Sequence, residues 1–132
     1  MAKRKRQFFV AIVDDDAGMR AAIKDLLNSN GWRTRSFPSA EAFLQSMDGG
    51  EPPGCLILDY RLPGMSGLEL HRELQAKGRA IPVIFATADD QAFRLLKSSA
   101  AKADALAVLR KPFDPDELPR LVKAAAQARR KR

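Results

Sequence analysis

Residues able to do phosphate or metal chemistry stand at four separate points of the 132-residue sequence, each at or just after an apolar run. Asp14, Asp15 and Asp16 follow Phe8–Val13, Asp59 follows Cys55–Leu58, Thr87 follows Ile81–Ala86, and Lys111 comes soon after Leu106–Leu109. Carboxylates gathered within a few ångströms repel and raise one another's pKa unless a cation sits among them. Mg²⁺, a hard cation that takes oxygen ligands and keeps several waters, answers that need. A carboxylate beside such an ion can attack phosphorus and form an aspartyl phosphate. Lys111 would neutralise the equatorial oxygens of the incoming phosphoryl group, and Thr87 could hydrogen-bond one of them. Taken singly, each residue has a plainer reading. An acid after a strand caps the next helix, an even alternative for Asp16, while a Thr-Ala packs and a Lys-Pro turns. Four plain readings would have to coincide in register at successive strand ends.

Those positions depend on elements that the hydrophobic period lays out. Phe8–Val13 is continuously apolar, as in a strand buried on both faces. Met19, Ala22, Ile23, Leu26 and Leu27 then form one helical stripe, which Asn30-Gly31 ends. Trp32–Phe37 reads as an edge strand with bases interleaved, and Ser39 opens a helix with Ala40, Phe43, Leu44 and Met47 inward. Beyond a Gly/Pro-rich loop at 49–54 come the strand at Cys55 and a capping box, Ser66 with Glu69, for a helix carrying Leu70 and Leu74. The fourth strand is followed by a helix over about Asp90 to Lys102, with Phe93, Leu96 and Ala100 on one side. After the fifth strand, Asp114-Pro115-Asp116-Glu117 starts a last helix with Leu118, Leu121, Val122 and Ala125 inward. Five successive βα units predict one α/β domain with a parallel sheet covered on both faces. If its strand order is 2-1-3-4-5, a flavodoxin-like doubly wound (βα)5 fold, the first and third strands are neighbours. Their terminal acids then meet at the switch point, where sites form in open α/β sheets.

Composition narrows the function further. The formal charge is +7, yet eight of the 23 bases are Lys3–Arg6 and Arg129–Arg132, leaving 15 against 16 acids in the body. A nucleic-acid role for the domain is therefore disfavoured, and the tails read as solvated arms. One cysteine and one histidine exclude an internal disulfide and a Cys/His zinc site. The first apolar run is too short for a signal peptide or a membrane span, so a cytoplasmic location is expected. Neither a G-x-G-x-x-G nor a P-loop is present.

Val13-Asp14-Asp15-Asp16, Leu58-Asp59-Tyr60-Arg61-Leu62-Pro63-Gly64-Met65-Ser66-Gly67, Phe85-Ala86-Thr87-Ala88 and Arg110-Lys111-Pro112-Phe113 together resemble the receiver domain of bacterial two-component response regulators. The likeness runs over residues 7–126, between basic tails at 1–6 and 127–132. It implies that Asp59 is the phosphoacceptor and that Mg²⁺ is held by Asp15, Asp59 and the Arg61 carbonyl, with Asp14 acting through a water. It further implies that Thr87 and Lys111 contact the phosphoryl group and that the Lys111–Pro112 peptide is cis. A sensor histidine kinase or histidine phosphotransfer protein would be the donor. The face of the fourth and fifth helices would meet a downstream protein or a second copy in a homodimer.

The sequence departs from that family at three places. Val108 stands three residues before the lysine, where the family has an aromatic ring that turns inward on phosphorylation; a β-branched side chain is too short and stiff for that. The stretch from Thr87 to Lys111 is about two residues longer than usual, with Asp104-Ala105 in place of Gly-Ala. Arg61 and Asp89 occupy the two positions that influence hydrolysis in the family, and an ion pair between them would shield the phosphoryl group from water. Elsewhere, His71 reads as a surface or boundary residue, and Cys55, Trp32 and Met65 as structural. Two organisations are open: a stand-alone receiver, or a receiver from a longer regulator or hybrid kinase. A phosphatase of the haloacid-dehalogenase type would need Thr or Val where Gly18 stands, and a cap domain for which the chain has no room.

Overall fold

A computed structural model describes residues 8–98 and 105–130. The elements run β1 (Val10–Val13), α1 (Ala17–Ser29), β2 (Thr34–Phe37), α2 (Ala40–Ser46), β3 (Cys55–Asp59), α3 (Gly67–Ala76), β4 (Val83–Thr87), α4 (Asp90–Ser98), β5 (Ala107–Arg110) and α5 (Glu117–Arg130). All five strands are parallel in the order β2-β1-β3-β4-β5, the doubly wound arrangement expected. Most strands begin later than their apolar runs: Phe8, Phe9, Trp32 and Ile81 lie outside the ladder and pack at its entry. Phe8 and Trp32 pack there with tilted rings, 5.4 Å between centroids.

The sheet divides the core in two. Alternate strand residues such as Val13, Leu58, Phe85 and Val108 face α2, α3 and α4. Their neighbours Ile12, Ile57, Ile84 and Leu109 face α1 and α5. β1, β3 and β4 are buried along their whole length, which is why they read as unbroken apolar runs. Each such Val, Leu or Ile contributes about 1.5–3 kcal/mol relative to exposure. The pairing Val13↔Leu58 then puts Asp14 and Asp59 one step further along adjacent strands.

Three details differ from the sequence reading, and others fall where it cannot be compared. Ala22 is exposed, since Ile23 and Leu27 suffice to seat α1. α5 begins at Glu117; Asp114 instead accepts from the Asp116 N–H at 3.0 Å and closes the turn before the helix. His71 is buried at 3% exposure, not at the surface: with Gly67, Leu70 and Leu74 it completes the i, i+3, i+4, i+7 stripe of α3 and lies edge-on to Phe85. α4 is described to Ser98; its expected continuation through Ala100 to Lys102, the Asp104 position, the N-terminal tail and residues 131–132 lie outside the described residues, whereas the last helix runs into the expected C-terminal tail as far as Arg130.

Candidate functional site

Asp14 is the first residue past β1, and its side chain is held from several directions. Oδ1 accepts the Asp16 N–H at 2.9 Å, and Oδ2 accepts from Lys111 Nζ at 2.7 Å. Arg20 of α1 donates to the Asp14 carbonyl at 2.7 Å. Asp16 itself caps α1, accepting from Gly18 and Met19, so the plainer of its two readings holds. Asp15 between them is exposed and directs its carboxylate to the same hollow: oxygens of Asp14, Asp15 and Asp59 all lie within 4.8 Å of one another.

Asp59 closes β3 at 8% exposure. Its Oδ1 accepts the Arg61 N–H at 3.2 Å, and Lys111 Nζ lies 3.5 Å from its Oδ2. Burial pushes the Asp59 pKa up to about 6; repulsion from Asp14 and Asp15 adds to that, and Lys111 opposes it. For Lys111, burial favours the neutral amine, but the contacts to Asp14 and Asp59 outweigh it and raise its pKa. The ammonium is thus firmly charged and lies between two acids from different strands. Three carboxylates against one lysine leave the cluster negative and raise the pKa of Asp59, a donor set that fits a hard divalent cation.

Thr87 ends β4 fully buried, in the strand beside Asp59, whose register partner is Ala86. Its Oγ1 accepts the Asp89 N–H at 3.1 Å, and its carbonyl accepts the Lys111 N–H at 2.8 Å. The Lys111–Pro112 peptide is cis. Above this edge Arg61 Nε donates to Asp89 Oδ2 at 2.7 Å, with Nη2 at 2.5 Å from the same oxygen. The Ala92 N–H and Arg61 hold the Asp89 carboxyl below the usual range. Val108 sits on the α2–α4 side of β5, paired in register with Phe85. The large ring on that part of the face is therefore Phe85, one strand further in. Cys55 is buried, with its thiol pushed up to about 12, which makes it a packing residue.

The sequence reading passed over Arg20 and Glu41, both of which support the site through backbone groups. Arg20 is a polar residue in the first turns of α1, with nothing in its spacing to mark it. Glu41 of α2 accepts the Met65 N–H of the β3–α3 loop at 2.9 Å, a contact between segments 24 residues apart.

A doubly wound parallel sheet with an acidic hollow at its switch point, a lysine across it and a buried threonine beside it defines a flavodoxin-like α/β switch domain. Comparison with known proteins makes this specific: residues 10–123 match the response regulator receiver domain, and the chain belongs to that family. It is 41% identical over 109 residues to the response regulator protein TmoT of Ectopseudomonas mendocina, covering 83% of this chain and 48% of TmoT. Among solved structures it is similar to response regulator StyR, at 34% identity and a TM-score of 0.83, covering 96% of this chain and 63% of that one. It is also similar to TrrA of Thermotoga maritima, solved with Mg²⁺–BeF, at 28% identity and a TM-score of 0.78, covering 90% and 99%. The chain spans about half the length of the curated relatives it matches. Receiver domains of this family are phosphoacceptor switches. No described helix is long and apolar enough to cross a membrane.

Proposed function

We propose that residues 7–126 form a receiver that accepts a phosphoryl group on Asp59 and signals through altered binding to another protein. The observation that carries this reading is Lys111 Nζ set between Asp14 and Asp59, beside a carboxylate cluster with room for a cation. Asp15, Asp59 and the Arg61 carbonyl would hold Mg²⁺ directly, and Asp14 through a water. Bound there, the ion supplies charge neutralisation for the transferring oxygens. An ionised Asp59 oxygen attacks phosphorus as the bond to the donor imidazole breaks, its electron pair returning to the ring nitrogen. Lys111 and Thr87 take two of the equatorial oxygens, Thr87 by turning its hydroxyl hydrogen toward one of them. The donor is a sensor histidine kinase or a histidine phosphotransfer protein. Small acyl phosphates also serve, since the groups that stabilise transfer belong to the receiver. Slow self-dephosphorylation completes the cycle, and the Arg61–Asp89 pair prolongs the phosphorylated state by obstructing water.

Output runs through the α4–α5 side, toward a downstream protein or a second copy, in the cytoplasm. The tails at 1–6 and 127–132 take no part in the chemistry. Val108 weakens the link between Thr87 and that face. The twofold length of the relatives favours a second organisation beside the stand-alone receiver, in which an output domain follows in the same chain. A reading frame that continues past Arg132 would establish it. The central test is incubation with acetyl phosphate and Mg²⁺. Wild type is expected to incorporate base-labile phosphoryl and Asp59→Asn none; equal labelling of the two would overturn the assignment of Asp59.

A further inference from the structure

The β3–α3 loop, residues 60–66, carries both the Arg61 carbonyl and the Arg61 side chain, so its shape matters to the receiver reading, on which this inference rests. Part of that shape is internal: the Arg61 N–H donates to Asp59, and the Gly67 N–H donates to the Tyr60 carbonyl at 3.0 Å. A further hold comes from another element. Glu41, in the first turn of α2, accepts the Met65 N–H through Oε2 at 2.9 Å. Gly64, beside it, has a φ of +75°, and a Cβ there would lie 2.7 Å from the same Oε2. The loop therefore has a glycine where the carboxylate comes closest, and the left-handed backbone independently favours glycine. α2 does not need this contact to start, because Ser39 already caps it through the Ala42 N–H at 3.0 Å.

We propose that Glu41 is a positioning residue for phosphoryl transfer to Asp59: by gripping Met65 it fixes the loop that presents the Arg61 carbonyl and the Arg61–Asp89 pair to the site. Glu41 acts through the backbone of Met65 and has no step in the chemistry. Without that acceptor the Met65 amide turns to water, the loop samples other shapes, and its metal-binding carbonyl must be ordered when Mg²⁺ arrives. The loss then appears in the Mg²⁺ requirement, while transfer at saturating Mg²⁺ is preserved.

Glu41→Ala, Glu41→Asp and Glu41→Gln distinguish this from a purely structural role. The alanine, and the aspartate with its one fewer methylene, are expected to raise the Mg²⁺ concentration for half-maximal labelling by acetyl phosphate about three- to tenfold, the worth of one hydrogen bond. The glutamine keeps an acceptor oxygen at the same reach and is expected to follow wild type. Amide exchange at Met65 in the Mg²⁺-free protein gives a readout that needs no metal: faster in alanine and aspartate, unchanged in glutamine. A wild-type Mg²⁺ midpoint in Glu41→Ala despite faster exchange at Met65, or unchanged exchange there, would overturn the proposal. Failure of the receiver reading looks different, because wild type itself would then take no label.

Discussion

The two halves of the sheet's carboxyl edge are built by different forces. On the β1/β3 half the groups are charged and individually tethered: both carboxylate oxygens and the carbonyl of Asp14 are engaged, and Asp59 meets a backbone N–H and Lys111. On the β4/β5 half the side chains below the edge are apolar, with Phe85, Val108 and Leu96 in one cluster. Apart from Thr87 and Lys111, which reach the site, the side-chain ion pairs at its rim, Arg110–Asp90 and Arg61–Asp89, are partly or largely exposed. Exposed ion pairs contribute little to stability, so the second half is held mainly by packing. The difference teaches that, on the proposed reading, the chemistry and its transmission rest on different kinds of contact. Lys111 ties the two halves at the rim, but the apolar layer below it can repack without loosening the acids, so substitutions in each should fail in distinct ways.

The sharpest way to break the comparison is Asp59→Asn, which should abolish labelling and yet raise the thermal midpoint of the Mg²⁺-free protein near neutral pH. Asp59 is held at about 6 in the fold, against about 3.9 for a free aspartate. The unfolded chain therefore releases that proton first, and wild-type stability falls as pH rises from about 4 through about 6. Asp59→Asn should lack that contribution, so the gap between the two proteins closes on acidification. A pH-independent gap would show that burial of the charge is not its cause.

Lys111→Met comes next. It should slow labelling about a hundredfold, in line with loss of one transition-state donor, and push the Asp59 pKa above about 6. With Asp59 as a Mg²⁺ ligand, as proposed, Mg²⁺ and a proton compete for it in wild type. The apparent affinity for Mg²⁺ should fall about tenfold per pH unit below the Asp59 pKa, as titration calorimetry would show. Smaller again is Arg61→Ala, expected to shorten the phosphoryl half-life severalfold, with Asp89→Ala alike; unchanged lifetimes would mean that the pair does not obstruct water. The smallest effect belongs to the packed half. Val108→Tyr should leave labelling within about twofold but make α4 amide exchange respond to beryllofluoride more strongly than in wild type. An equal response in the two proteins would place the route to α4 elsewhere.

Much of this was legible because parallel strands buried on both faces leave an unbroken apolar signature, and the chemistry begins where that signature stops. Asp14, Asp59 and Thr87 could be placed from that alone. Strand starts were less legible: Phe8 and Ile81 are as apolar as the strands they precede, yet they pack at the entry outside the ladder. His71 misled because histidine is an intermediate residue by burial, although its place in the α3 stripe was a usable signal. Arg20 and Glu41 left no trace, since each acts on a backbone atom and a backbone partner has no side chain to recognise.

The contact between Lys111 and Asp14 joins residues 97 apart in sequence. Nothing local can form it: β1 must already lie beside β3, and β5 beside β4, before the ammonium reaches the first strand's acid. Such distant pairings carry a loop-closure cost that must be met before they reward the fold. During synthesis, a chain lacking its final strand would have its acids but no lysine among them. On the receiver reading, phosphoryl acceptance is in that sense a certificate of completed folding, since it needs a lysine that only the last strand delivers.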